Sequence, residues 1–203
     1  MPTFLTLAEA QAVTEGYHEL WVQIHRRIQD EWWGPRNMES PIFQAAGPTA
    51  RATIIHDMVA AEIRRAPQLV STDKLDFFAQ LIDSEAGAAV VRFKLLDSQL
   101  RTMNHVSGQQ DLLDRYEFTP EATEQLLLAG MTASPAVLTC GYQLSPGEVG
   151  MEAVVVACHY ERKLMYCYDL ESGQRREALY LPGIEPPEPS IRSRREDSQT
   201  GSE

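Results

Sequence analysis

The sequence predicts an α+β protein in which two N-terminal helices pack on an antiparallel sheet of about five strands. Three observations predict this class. Apolar residues recur at helical spacing near the N-terminus, and they alternate at strand spacing from residue 75 onwards. The composition, with 43% hydrophobic and 23% charged residues in a chain of 203, is that of an ordinary folded domain. We therefore expect one domain over residues 1–183, with a helical part over 1–66 and a sheet part over 67–183.

The first helix is predicted from Thr6 to Trp33. Thr6 and Glu9 form a capping box, in which the hydroxyl accepts from a backbone amide and the carboxylate reaches back to the cap. Gly34 and Pro35 end the helix. Between these signals one apolar stripe recurs at spacings of three and four residues, and its members are Ala10, Val13, Tyr17, Trp21, Ile24, Ile28 and Trp32.

A second helix is predicted over residues 49–65, where two arginines in the last turn suit the negative end of the helix dipole. It contains His56 and Asp57, a dipeptide that is also found in metal-dependent phosphohydrolases. That chemistry needs further His and Asp ligands on neighbouring helices, whereas this chain continues into strands. We therefore interpret the pair as polar residues on the exposed side of the helix.

Short apolar runs separated by turn residues predict the strands of the sheet. The first two are joined by a polar loop with a glycine, which indicates a hairpin. The stretch Ala153–Cys158 is apolar on both faces, so its strand is expected to be central and covered on both sides. The predicted strands are residues 75–82, 88–96, 136–144, 151–160 and 163–170.

Two short helices are predicted after the second strand, over residues 109–116 and 119–129. Thr119 caps the latter, and Pro120 occupies its first helical position. After Gly183 the chain becomes rich in Pro, Ser, Arg and Glu and has no apolar period. The tail, residues 184–203, is therefore expected to be disordered on its own.

The cysteine pattern and the N-terminal residues favour a cytoplasmic protein with no membrane segment. Cys140, Cys158 and Cys167 are odd in number and lie in apolar runs, which is typical of free buried thiols rather than of a disulfide scaffold. The first residues lack the basic and apolar regions of a secretory signal. No window approaches the roughly 20 apolar residues of a spanning helix.

The net charge of −11 constrains the kind of partner. An acidic protein repels phosphate at long range, so a general nucleic-acid-binding surface is disfavoured. The sequence contains no phosphate loop, no dinucleotide-binding glycine pattern and no zinc-protease motif. We therefore predict no cofactor and no metal, and we expect another protein as the partner, while the oligomeric state is left open.

Four basic residues and two tryptophans are the candidates for a partner or anion site. Arg92 and Lys94 project from the same face of the second strand, and Arg101 and His105 follow it. This face either contacts an anion, a nucleic acid or an acidic partner, or it is simply solvated. Trp32 and Trp33 end the first helix, and because they are adjacent, one of them must point away from the apolar stripe and could meet a partner.

An alternative function is that of a nuclease-like or nucleic-acid-acting protein. Asp83 followed by the triplet at residues 92–94 resembles restriction-endonuclease-type nucleases, which place an Asp on one strand and an acidic-X-Lys triplet on the next. Here Arg92 occupies the acidic position, where it cannot ligate a cation. Such a protein would act through the face of Arg92 and Lys94.

Two segments resemble an uncharacterised family of bacterial and prophage proteins. They are VVRFKLLDSQLRTMN (90–104) and LTCGYQLSPGEVGMEAVVVACH (138–159), and an Ile-His-Asp stretch at 55–57 precedes them. The resemblance covers about residues 50–170. Genes of that family often lie beside one for a helix-turn-helix protein with a metallopeptidase of the ImmA/IrrE type. The resemblance therefore implies a mobile-element, toxin–antitoxin or phage-defence setting, and it carries over no catalytic residue.

These observations together predict a non-catalytic, acidic interaction or regulatory protein that binds another protein. No set of ionisable residues in the sequence indicates a reaction, so no catalytic residue is assigned. The identity of the partner, and whether the protein is a toxin, an antitoxin or neither, are left open.

Overall fold

The computed structural model describes residues 4–34, 37, 39–66, 69–72, 78–102, 112, 115–132, 134–145 and 150–177. Within these residues the predicted α+β class is confirmed. The helical elements are α1 (Leu7–Thr14), the 3-10 turn η1 (Glu15–Tyr17), α2 (His18–Trp32), α3 (Pro41–Ala45), α4 (Pro48–Arg65) and α5 (Pro120–Leu128). The strands are β1 (Val70–Thr72), β2 (Ala79–Ser84), β3 (Gly87–Leu96), β4 (Ala136–Leu144), β5 (Met151–Tyr160), β6 (Lys163–Asp169) and β7 (Arg175–Glu177).

The sheet is mixed, which differs from the antiparallel sheet of about five strands that the sequence predicts. The described strands form one seven-stranded sheet in the order β1 to β7. Neighbours pair antiparallel except β3 and β4, which are parallel, with Phe93 opposite Cys140. The connection between these two strands, residues 97–135, is long enough to cross over the sheet, and a parallel pair requires such a crossover. The three-residue strands β1 and β7 are too short for a periodic signal.

The predicted first helix begins at its capping box and is then interrupted. The Thr6 hydroxyl accepts from the Glu9 amide at 3.3 Å, and the Glu9 carboxylate accepts from the Thr6 amide at 2.7 Å. At Thr14 the hydroxyl donates to the carbonyl of Ala10 at 2.7 Å, a bond that competes with regular helix geometry. The chain then passes through η1 before α2 continues, so one predicted helix is two helices joined by a tight turn.

The helices α1, α2 and α4 contribute to one hydrophobic core with one face of the sheet. On β3 this face carries Ala89, Val91 and Phe93. Trp21 is fully buried in the core, and its indole N–H donates to the Gln80 side chain of β2 at 2.8 Å. The other large side chains that are buried completely include Ile24, Ile28, Ile55, Ile63 and Leu138.

The opposite face of the sheet is also covered. Helix α5 places Ala122 and Leu126 against Leu81 and Val90. Next to them Leu100, in the loop after β3, packs with residues of β3, β5 and β6. The prediction that the strand containing residues 153–158 is covered on both sides is confirmed, since residues 154–159 are buried.

Some predictions lie wholly or mostly outside the described residues. They concern His105, the tail over residues 184–203 and the first inserted helix over residues 109–116. Of that helix only residues 112, 115 and 116 are described. Among the helices that the structure describes, none is long and apolar enough to cross a membrane.

Candidate functional site

Arg92 lies inside the sheet rather than on its surface. It is opposite Ala79 of β2 and Thr139 of β4, and it is only 2% exposed. One terminal nitrogen of its guanidinium lies 3.4 Å from the Thr139 hydroxyl. The expectation of a solvated or partner-facing side chain is wrong for Arg92, because α5 and the residues after β3 cover the second face of the sheet. A side chain buried to this degree cannot contact a macromolecule without rearrangement.

Lys94 follows on the same side of β3 and is half-buried. Removal from water, with a smaller contribution from the charge of Arg92, lowers the pKa of Lys94 to about 8. Charged residues on alternate positions of a strand usually indicate a solvated face, but here the face is largely covered. Arg92 and Lys94 therefore do not form the exposed cationic surface that the sequence predicts.

His56 secures α4 to β3. Its Nδ1 lies 3.1 Å from the carbonyl oxygen of Phe93, just beyond Arg92, where the pairing with β2 ends. Burial is the main cause that lowers the pKa of His56. The prediction of an exposed polar pair therefore holds for Asp57, which is exposed, but not for His56, which is half-buried.

Arg101 shapes the turn that follows β3. Its guanidinium lies 2.8 Å from the Asp97 carboxylate, whose other oxygen accepts from the backbone amides of Gln99 and Arg101. Burial alone would raise the pKa of Asp97, but these hydrogen bonds lower it below its usual value. Arg101 is thus exposed but engaged within its own loop, and His105 lies outside the described residues.

The two tryptophans at the end of α2 differ in burial. Trp32 is 7% exposed and belongs to the core. Trp33 is half-buried, packs against the edge of the core and lines a cavity beside the ends of β3 and β4. The prediction that one of the two points away from the apolar stripe therefore applies to Trp33.

The nuclease-type arrangement does not assemble around Asp83. Asp83 is exposed and pairs with Ala88, at the turn between β2 and β3. Lys94 is six residues further along β3, which corresponds to about 20 Å along the strand. Among the residues that the structure describes, no group of three or more His, Cys, Asp or Glu is placed to hold a metal ion.

The three cysteines are free and buried, as predicted. The Cys158 sulfur lies 2.9 Å from the Tyr116 hydroxyl, which donates to the carbonyl of Val137 at 3.0 Å. Burial raises the pKa of the Cys158 thiol and that of the Cys140 thiol. Because the thiolate is the reactive form, these positions suit packing better than covalent chemistry.

The outer face of α5, defined here as Glu121, Glu124, Leu127 and Leu128, is a surface that the sequence analysis missed. Leu127 and Leu128 are 55% and 74% exposed, and both glutamates are exposed. Leu126 is fully buried on the inner side of the same helix. A signal was present, because successive helical residues are about 100° apart and three consecutive leucines cannot all face one core.

Comparison of the chain with protein-family models, with curated proteins and with solved structures found no match. Burial, charge and geometry of the described residues are therefore the observations from which a function can be inferred.

Proposed function

We propose that the protein is a non-catalytic, acidic regulatory protein that binds another protein through the outer face of α5. The observation that carries this proposal is the exposure of two adjacent leucines, 55% and 74%, on a helix that buries its opposite side in the fold. Fully burying a leucine side chain contributes about 1.5–3 kcal/mol of free energy. A partner that covers both leucines would therefore bind with a substantial favourable contribution from these two side chains.

The charge around these leucines defines the chemistry of the partner. Glu121 and Glu124 lie on the same outer face, and the whole chain carries a net charge of −11. Complementary potentials favour fast and selective encounter, so the partner surface should carry an apolar pocket with a basic rim. The acidity also disfavours nucleic acid as the partner.

The buried and internally engaged cations support the same proposal. Arg92 is inside the sheet, and Arg101 is paired with Asp97, so neither contributes to an open basic surface. The three buried free thiols support a reducing, cytoplasmic location. The proposed setting, a mobile-element, toxin–antitoxin or phage-defence operon, rests on the family resemblance of residues 50–170.

The proposal is tested with the double variant Leu127→Ser, Leu128→Ser. Affinity isolation of the wild-type protein from its native cells should yield a basic partner chain, and binding of the purified partner should weaken about 100-fold in the double variant. The control is Ile42→Ser, which changes a side chain that is 83% exposed on α3 and should leave binding unchanged.

Two results would overturn the proposal. One is retention of the same partner at the same affinity by the double variant. The other is cleavage of plasmid DNA or RNA by the pure protein with Mg²⁺ or Mn²⁺ that is lost in Lys94→Ala, because this would support the nuclease-like alternative.

A further inference from the structure

A groove of about 570 Å³ crosses the second face of the sheet, the face on which α5 packs. It extends from Leu96 of β3, across β4, β5 and β6, to Gln174 just before β7. Neighbouring strands are about 4.8 Å apart, so this path is about 19 Å long. The groove is therefore elongated, and none of the described residues that line it belongs to α5. An inference about it does not depend on the proposed protein interface.

The floor of the groove is apolar. It is formed by side chains of one hydrophobic cluster on this face of the sheet, which are Leu96, Leu100, Val155 and Cys167. None of the four is more than 4% exposed, so the floor is closed towards the core. A ligand that lies in the groove therefore meets apolar surface along its length, to which methylene groups are suited.

Two side chains of the lining each offer an oxygen as a hydrogen-bond acceptor. The Nε2 group of Gln143 donates to the carbonyl of Asp97 at 2.8 Å, which leaves Oε1 of the same amide as an acceptor. One carboxylate oxygen of Asp169 accepts from the backbone amides of Glu171 and Ser172, and the other oxygen has no partner among the described residues. Both residues can therefore accept a hydrogen bond from a ligand.

The charge of the described lining is negative. Glu152 is exposed, and its carboxylate makes no hydrogen bond or ion pair with a described residue. Arg26 of α2 lies near Asp169, but its guanidinium is held by the carboxylate of Glu171, which is the main cause that raises the pKa of Arg26. Among the residues that the structure describes, no basic side chain lines the groove. The groove therefore attracts cations and repels phosphate and carboxylate ligands.

The spacing of the two carboxylates favours an extended cation over a compact one. Asp169 is opposite Val155 of β5, and Glu152 precedes Val155 by three residues. The backbone positions of Glu152 and Asp169 are therefore about 10 Å apart along the strands, which is more than one ammonium group bridges at hydrogen-bond distance. A chain that carries ammonium groups at intervals can contact both carboxylates.

We propose that this groove binds a linear polyamine, in which methylene groups connect several ammonium groups. The ammonium groups donate to the carboxylates of Glu152 and Asp169 and to the Oε1 atom of Gln143, and the methylene groups pack on the apolar floor. An ammonium group has only donors, which matches a lining that offers acceptors. The groove is a binding site distinct from the outer face of α5.

Titration of the full chain with spermidine at low ionic strength, followed by NMR of the backbone amides, tests the proposal. We expect saturable shifts at Ala153, Val155 and Asp169, with a dissociation constant of about 100 μM or tighter. Hexaamminecobalt(III) carries the same charge as spermidine and also offers only N–H donors, but it is compact, so it should bind at least about tenfold more weakly. Octanediol, an uncharged chain of similar length, should cause no shifts.

Three variants locate the site. Glu152→Gln and Asp169→Asn should each weaken spermidine binding about fivefold, and each keeps the shape of the side chain, so the fold should persist. In Asp169→Asn the side-chain oxygen can still accept from the amides of its turn. Glu161→Gln is the matched control, because it removes the same charge from an exposed side chain just beyond the other end of β5. It should leave the affinity unchanged.

Several results would contradict the proposal. Equal affinity for spermidine and hexaamminecobalt(III) would show attraction by the net charge of the protein rather than a groove that selects a chain. Equal weakening in Glu152→Gln and Glu161→Gln, in variants whose thermal unfolding is unchanged, would place the binding elsewhere. Absence of amide shifts up to about 10 mM spermidine would exclude a polyamine site.

Discussion

His25 of α2 is a titratable group enclosed in the core. Its ring lies 6.4 Å from that of Phe93 and 5.9 Å from that of Tyr142, between ring centroids. Nδ1 donates to the Trp21 carbonyl at 2.7 Å, whereas Nε2 has no partner among the described residues. Burial is the main cause that lowers the pKa of His25 to about 4. The Trp21 carbonyl and Glu171 raise this pKa, whereas Arg26 lowers it further.

This burial predicts a loss of stability in mild acid. The unfolded chain binds a proton on His25 near pH 6.5, whereas the folded protein does so only near pH 4. The stabilisation is therefore complete above pH 6.5 and is lost as the pH falls towards 4. Between pH 7 and pH 5, His25 alone should lower the free energy of unfolding by about 2 kcal/mol.

Urea unfolding of wild type and His25→Leu at several pH values between 7 and 5 checks this prediction. The variant should show a clearly smaller dependence on pH. Some dependence remains, because burial also lowers the pKa of His18 and of His56. Parallel curves for the two proteins would contradict the prediction, since they would mean that the pKa of His25 is the same in the folded and the unfolded chain.

At the scale of elements, the parallel pairing of β3 with β4 depends on a glycine. A Cβ atom at Gly141 would lie 2.5 Å from the Leu96 side chain and 2.8 Å from the Lys94 carbonyl oxygen. The first contact involves a buried side chain that packs between β3 and β5, and the second involves backbone. Neither the Leu96 side chain nor the Lys94 carbonyl can move away without a cost in free energy. Only glycine therefore allows Leu96 to lie across β4 at this point.

Gly141→Ala should therefore destabilise the protein by about 1–3 kcal/mol, as overpacking of a filled core does. Gly16→Ala is the control, because a Cβ there would meet nothing within 4 Å. Its free energy of unfolding should match or exceed that of wild type. Equal urea midpoints for Gly141→Ala and Gly16→Ala would contradict the prediction. They would mean that β3 and β4 can move apart at this point without loss of stability.

The individual elements were largely predictable because their signals are local. The capping box at Thr6 and the bounds of β4 and β5 follow from patterns within a few residues. The break at η1 was not predictable from the apolar stripe, which continues through it unchanged. At the break the Thr14 hydroxyl lies 2.6 Å from the Tyr168 hydroxyl of β6, a contact between residues distant in sequence.

At the scale of the whole molecule, the sequence could not show what covers each face of the sheet. The alternation of Arg92 and Lys94 with apolar residues is the pattern of a half-exposed strand, yet Arg92 is buried. Part of that face of the sheet is covered by α5, about 30 residues later in the chain. For the candidate interface, the three consecutive leucines indicated only that they cannot all face one core. Which leucines of α5 remain outside is decided only when the helix packs on the sheet.

The order of the strands and the layers that pack on them predict which part of the molecule resists local unfolding best. Strand β4 is buried from Ala136 to Tyr142 and is flanked by β3 and β5, with layers on both faces. Its amides should exchange with solvent only when the whole protein unfolds. Strands β1 and β7 have three residues each at the ends of the described sheet, and α3 exposes Ile42, so these elements should exchange by local opening.

Hydrogen exchange of wild type and Gly141→Ala distinguishes the two modes. If the variant loses about 2 kcal/mol, the amides of β3, β4 and β5 should exchange about 30-fold faster in it, because their rates follow the global stability. Amides of α3 and β1 should exchange equally fast in both proteins. Uniform acceleration of all amides would contradict this hierarchy, since it would make the outer elements part of the same cooperative unit as β4.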